Sequence, residues 1–196
     1  MEVLRQQIGA LLEGLLRPIA QTLARSDISP NHVTVAGLVV NLIAAWLITR
    51  GDFFFAGVMY LLGGGFDLLD GMLARATNKV TAVGAYLDST LDRISEGVIF
   101  AAIAYVFARE GQAVDAGMVL LALLGSLLVS YTRARAEALS VACKMGIATR
   151  PERVVLIALG LATGWLAPVI YLLVVLTGIT VIQRIRATVV GLSGRV

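Results

Sequence analysis

One cysteine, Cys143, and one histidine, His32, are all this chain has of the side chains that build disulfides and thiolate or imidazole metal sites. A disulfide and a metal–thiolate set are therefore excluded. Cys143 reads as a small residue near a loop, and His32 as an interfacial polar residue. Charge is scarce too: 15% of the 196 residues are charged, against 58% hydrophobic, and the mean hydropathy is +0.87. Tandem repeats, low-complexity tracts and any stretch that reads as a separate soluble domain are missing as well. What remains is the composition of an integral membrane protein.

Six apolar segments stand out, over roughly 32–49, 53–73, 84–108, 115–136, 152–163 and 167–188, the fifth being the shortest. Each is read as a transmembrane helix, which makes the chain an all-α, polytopic membrane protein. Residues 1–25, MEVLRQQIGALLEGLLRPIAQTLAR, do not read as a span. Leu4, Ile8, Leu11, Leu12, Leu15, Ile19 and Leu23 recur at near-helical spacing, with Arg5, Arg17 and Arg25 elsewhere. This is the pattern of an amphipathic helix lying in the membrane interface. The expected organisation is that helix at 1–25, followed by a six-helix transmembrane domain at 26–196.

With six spans, only Arg50 and Arg109 of the 16 Lys and Arg fall on one side of the membrane. The positive-inside bias then puts both termini, and the rest of the basic residues, in the cytoplasm. The same asymmetry accounts for the net charge of +3 without nucleic acid.

Against this background the stretch DLLDGMLARATNKVTAVGAYLDSTLD, residues 67–92, is anomalous. It carries four aspartates, Asp67, Asp70, Asp88 and Asp92. A charged side chain at the bilayer centre costs about 3 kcal/mol on insertion scales, so the group needs a cationic partner. Asp67 and Asp70 lie one turn apart at the end of the second span, and Asp88 and Asp92 one turn apart at the start of the third. The short polar link from Ala76 to Thr81 joins these spans as antiparallel neighbours, so the two acidic faces can meet. An all-oxygen donor set suits one or two hard cations such as Mg²⁺ or Mn²⁺. The competing reading is ion pairing to Arg75 and Arg93. Gly71 and Gly84 leave room beside the acids for a ligand to approach the helix backbone. Gly63, Gly64 and Gly65 read instead as close helix packing.

Asp67-x2-Asp70-Gly71-x2-Ala74-Arg75-x8-Gly84-x3-Asp88-x3-Asp92 resembles the complete motif of the CDP-alcohol phosphotransferase family. The resemblance implies transfer of a substituted phosphate from a CDP-linked donor, usually CDP-diacylglycerol, to an alcohol, with release of CMP. It implies that Asp67, Asp70 and Asp88 hold the metal. Asp92 would take the proton of the acceptor hydroxyl and could also touch the metal. Gly71, Ala74, Arg75 and Gly84 would line the CDP site, and a homodimer is implied as well. In SPNHVT, residues 29–34, Asn31 and Thr34 are one turn apart where the family often has polar residues at the start of the first span. They read equally as nucleotide contacts or as a helix start with Pro30 and Asn31 near its cap.

The acceptor is read from the remaining cytoplasmic bases. Ser130, Arg133, Arg153, Arg184 and Arg186 lie at the ends of three helices, where convergent guanidinium groups would form an oxyanion pocket. SYTRARAE at 130–137, PER at 151–153 and TVIQR at 180–184 are similar to the phosphatidylinositol-phosphate synthase branch of the same family and its archaeal ether-lipid relatives. That likeness implies inositol 1-phosphate as acceptor. Glycerol 3-phosphate, giving phosphatidylglycerol phosphate, is the rival acceptor, and a cation transporter is the rival outside the enzyme class.

Overall fold

The computed structural model describes residues 2–26, 28–143 and 145–193, with the side chains of residues 2–8 and 10–13 left aside. Seven α-helices are found among them: α1 (Glu2–Ala24), α2 (Pro30–Arg50), α3 (Phe53–Ala76), α4 (Ala82–Arg109), α5 (Ala113–Ala138), α6 (Arg150–Thr163) and α7 (Leu166–Ser193). No strand occurs among the described residues.

Local chemistry sets the helix ends. Pro30 opens α2, and the Ser29 hydroxyl accepts from the Asn31 amide at 3.3 Å, so Ser29 is the cap. The Thr81 hydroxyl likewise accepts from the Gly84 amide at 3.0 Å and starts α4. Gly51 and Gly164 end α2 and α6 in the left-handed conformation, with φ of 85° and 77°.

Helices α2 to α7 contact one another in a closed circuit: α2 with α3 and α4, α4 with α5, α5 with α7, α7 with α6, and α6 with α3. The main core fills one half of this ring. It is built from the C-terminal halves of α2 and α4, the N-terminal halves of α3, α5 and α7, and the body of α6. Ile48, Tyr60, Ile99, Phe100, Ile103, Ile157, Ile170 and Leu173 lie at its centre. Several backbones approach too closely for a side chain. A Cβ on Gly63 would sit 2.1 Å from Asn41 Oδ1, one on Gly57 2.8 Å from the Ala158 carbonyl oxygen, and one on Gly125 2.2 Å from Thr177 Oγ1. The packing role expected for Gly63 is thus met, whereas Gly65 has open space around its Cα.

Four of these helices, α2, α3, α5 and α7, are long and apolar enough to cross a membrane. The two others expected to span fall short for different reasons. Helix α4 has 28 residues but carries Asp88, Asp92 and Arg93 in its first half and Glu96 at its middle. Helix α6 has 14 residues, which is about 21 Å at 1.5 Å per residue against a hydrocarbon core of about 30 Å. The apolar helices and the buried ring identify an integral membrane protein.

Helix α1 packs outside the ring on α3, where Leu16, Ala20, Leu23 and Ala24 meet Val33, Leu69 and Leu73. Leu15 and Ile19 point away from the protein, 69% and 48% exposed. The single apolar stripe expected for this segment is therefore split between two faces. The side chains of Leu4, Arg5, Ile8, Leu11 and Leu12 lie outside what the structure describes, as do Lys144 and Arg195.

Candidate active site

The half of the ring opposite the apolar core collects nearly all the buried polar side chains. Asp67 and Asp70 come from the last turns of α3, and Asp88 and Asp92 from the first turns of α4. Asp70 and Asp92 are buried, at 6% and 9% exposure. The charge of Asp88 acts on Asp67, Asp70 and Asp92, and that of Asp67 on Asp70 and Asp92, so the four carboxylates share one region.

Two groups from other helices hold this cluster. The Thr34 hydroxyl of α2 donates to Asp70 Oδ2 at 2.6 Å. Arg150, the first residue of α6, places Nη1 2.6 Å from Asp67 Oδ2 and 2.9 Å from Asp92 Oδ1. Of the arginines weighed as partners from sequence, Arg93 comes no nearer than 3.7 Å to Asp92, and Arg75 is exposed with its Nη1 3.4 Å from where a Cβ on Gly71 would lie. Gly71 meets nothing else, leaving its side of α3 open. Gly84 faces Asn31, whose Oδ1 lies 3.3 Å from where a Cβ would be. Asn31 is thus beside the start of α4, while Ala74 is half-buried one turn beyond Asp70.

Among the described residues no three acidic side chains are drawn together into a ready-made metal cage. The donor set nonetheless fits a hard divalent ion. All its atoms are carboxylate oxygens, and two of the carboxylates already gather on one cationic nitrogen.

A second polar cluster adjoins the first. Asp88, Asp92 and Glu96 are successive residues of one face of α4. Glu96 accepts from Arg153 of α6 in a two-pronged pair, Nε to Oε1 at 2.8 Å and Nη2 to Oε2 at 3.0 Å. Arg153 Nη1 also donates to the Ala148 carbonyl at 3.0 Å. Arg153 and Glu96 are 1% and 2% exposed. Arg184 of α7 donates through Nε to the Met145 carbonyl at 2.9 Å and through Nη1 to the Val129 carbonyl. Thr180 Oγ1 accepts from the amides of Ile147 and Ala148 at 3.2 and 3.1 Å. These bonds hold the described parts of the α5–α6 connection against α7.

The five residues expected to bind the acceptor are distributed unevenly. Arg133 and Arg153 are near enough for their charges to act on Arg184, so the three lie in one region. Arg133 is the exposed member and pairs with Glu137 at 2.9 Å. Ser130 lies on the outer side of α5, in a cleft with Ser89, Arg93, Leu127, Tyr131 and Ala134. Arg186 is exposed on α7. From sequence Arg150 reads only as one of the bases at the start of the fifth span, and neither Glu96 nor Thr180 stands out. The available signals were the continued acid spacing 88–92–96 and the i, i+3 relation of Arg150 to Arg153.

Known proteins resemble this chain in sequence and fold. Residues 27–190 match the family described as CDP-alcohol phosphatidyltransferase. The archaetidylinositol phosphate synthase of Pyrococcus horikoshii is 39% identical over 171 residues, which are 87% of this chain and 88% of the relative. A crystal structure of Mycobacterium tuberculosis phosphatidylinositol phosphate synthase with CDP-DAG bound superposes with a TM-score of 0.80 at 31% identity, covering 87% of this chain and 92% of that one. The same Mycobacterium tuberculosis enzyme in complex with manganese and citrate gives 0.78 at 31% identity, over 87% of each chain. A buried carboxylate cluster between α3 and α4, its fixed sequence spacing and a match over most of the length lead to one conclusion: the chain belongs to the CDP-alcohol phosphatidyltransferase family.

Proposed function

We propose that this protein is a membrane transferase that moves a phosphatidyl group from CDP-diacylglycerol to inositol 1-phosphate and releases CMP. The observation that carries the reading is the juxtaposition of two clusters across the first turn of α6. Arg150 meets the carboxylates, and Arg153, three residues on, pairs with Glu96 and lies near enough for its charge to act on Arg184. A donor bearing a pyrophosphate and an acceptor bearing a phosphate need two adjoining sites of this kind. The relatives named for inositol phosphate lipids support the choice of acceptor, and one of them, named for archaetidyl lipids, leaves ether-linked donors within the same chemistry.

In this reading Asp67, Asp70, Asp88 and Asp92 hold Mg²⁺ or Mn²⁺, which supplies charge neutralisation at the donor pyrophosphate. Thr34 fixes the orientation of Asp70 through its hydroxyl. Asn31, Gly71, Ala74, Arg75 and Gly84 border the nucleotide, with Gly71 leaving space for it. Asp92 accepts the proton of the acceptor hydroxyl as that oxygen bonds to the phosphorus bearing the lipid. The bond from that phosphorus to the oxygen of CMP breaks, and CMP departs with the electron pair. Arg133, Arg153, Arg184 and Arg186, with Ser130, orient the acceptor phosphate. Residues 26–196 form the catalytic domain with six spans, α4 crossing with its charged half shielded inside the ring. Residues 1–25 lie in the interface, the active site faces the cytoplasm, and the protein works as a homodimer.

The test offers purified protein CDP-diacylglycerol with inositol 1-phosphate, free inositol, glycerol 3-phosphate or serine, and follows CMP and lipid product. The phosphorylated inositol is expected to be preferred. Preference for glycerol 3-phosphate moves the acceptor assignment to phosphatidylglycerol phosphate synthesis, and preference for a neutral alcohol removes the anion pocket.

A further inference from the structure

Arg150 is the one basic side chain among the described residues that bridges two of the four aspartates. A single nitrogen, Nη1, serves both: it is 2.6 Å from Asp67 Oδ2 on α3 and 2.9 Å from Asp92 Oδ1 on α4. The arginine side chain is 23% exposed and the two carboxylates 13% and 11%, so water screens the contact only in part. One cationic centre therefore lies against oxygens of two of the aspartates that a divalent ion needs.

The backbone of Arg150 has little freedom. Arg153, one turn further along α6, is tied to Glu96 by two bonds and to the Ala148 carbonyl by a third. Pro151 stiffens the same turn. Release of Arg150 from the aspartates is thus a rotation of a flexible side chain and requires no movement of the helix. A guanidinium is also a good partner for phosphate oxygens, so a released Arg150 has an obvious destination in a site that takes a pyrophosphate and a phosphate ester.

We infer that Arg150 is a positioning residue that works by exchange: it holds Asp67 and Asp92 together as an internal counter-cation, yields them to the divalent ion, and then turns its fork to substrate phosphate. This rests on the reading of the aspartates as the metal site. The exchange has a consequence that a merely structural ion pair lacks. A guanidinium competing for the same oxygens, and repelling a second cation, lowers metal affinity in the absence of substrate. Removing it strengthens metal binding while weakening substrate use, two effects of opposite sign from one substitution.

The experiment measures Mn²⁺ binding to the full chain in detergent, without donor or acceptor, by the loss of the free-ion electron paramagnetic resonance signal. Arg150→Gln is expected to bind Mn²⁺ about tenfold more tightly than the unsubstituted protein, and its KM for CDP-diacylglycerol is expected to rise about tenfold or more. Arg150→Lys, which keeps the charge on a shorter and unforked head, is expected to fall between the two. If Arg150→Gln and Arg150→Lys unfold on purification, Mn²⁺ present from lysis onward is expected to rescue them, because the ion replaces the lost counter-charge. Unchanged or weaker Mn²⁺ affinity in the variants overturns the exchange, as does failure of Mn²⁺ to rescue an unstable variant. Absence of Mn²⁺ binding to the unsubstituted protein overturns the metal reading itself, which separates the two failures.

Discussion

The two halves of the helix ring solve the problem of being buried in opposite ways. In one half Ile48, Ile99, Ile103, Ile157, Ile170 and Leu173 belong to one apolar cluster held by side-chain packing. In the other half Thr34–Asp70, Arg150–Asp67, Arg150–Asp92 and Glu96–Arg153 each join two different helices at hydrogen-bonding distance. Dispersion is non-directional and needs no particular partner, whereas a charge with no partner in a low-dielectric region is costly. The apolar half therefore supplies cohesion, and the polar half supplies a fixed geometry at the cost of demanding complete pairing. A phosphoryl-transfer site needs the second property.

Substitutions in the two halves should separate these properties. The largest effect is expected from chelation, which should stop CMP release from CDP-diacylglycerol, with Mg²⁺ or Mn²⁺ restoring it; full turnover after exhaustive chelation would end the metal argument. Next comes Asp92→Asn. Loss of a general base lowers turnover by about 10²–10⁴-fold, and donor binding should persist because Asp67, Asp70 and Asp88 remain. Near-normal CMP release by this variant rejects the proton-acceptor role.

Glu96→Gln leaves the Arg153 guanidinium buried without its charge partner. A broken buried pair costs about 3–5 kcal/mol, which thermal unfolding in detergent would register. Replacing both residues with apolar ones, Glu96→Leu with Arg153→Met, should recover much of that stability but not activity. On the apolar side Ile103→Ala should cost about 2–5 kcal/mol by opening a cavity, while the acceptor KM of the enzyme still folded stays as it was. A large change in acceptor KM there would show that the two halves are not separable.

The smallest structural effect is expected at Arg133. Its pair with Glu137 is half exposed, so Arg133→Ala should change stability by less than about 1 kcal/mol. If Arg133 reaches the acceptor phosphate, the same substitution raises acceptor KM by about tenfold. Unaltered acceptor kinetics would restrict the anion pocket to Arg153 and Arg184.

The sequence by itself determined the helical class, the approximate limits of all six ring helices and the carboxylate motif. These follow from local properties: apolar runs, Gly and polar punctuation between them, and an i, i+3 or i, i+4 spacing that puts two acids on one helix face. It did not determine which cation those acids would meet. Arg75 and Arg93 are near them along the chain, yet Arg150, 58 residues beyond Asp92, is the one between them. Likewise the bases at the helix ends did not reveal their protein partners, and only the ring showed Arg153 paired with Glu96 and the Ala148 carbonyl and Arg184 donating to the carbonyls of Met145 and Val129. Spacing along one helix is fixed by its repeat, but the partner of a buried charge is chosen by which helices adjoin. That choice belongs to the closure of the ring, where α6 comes to lie against α3 and its first turn reaches both clusters.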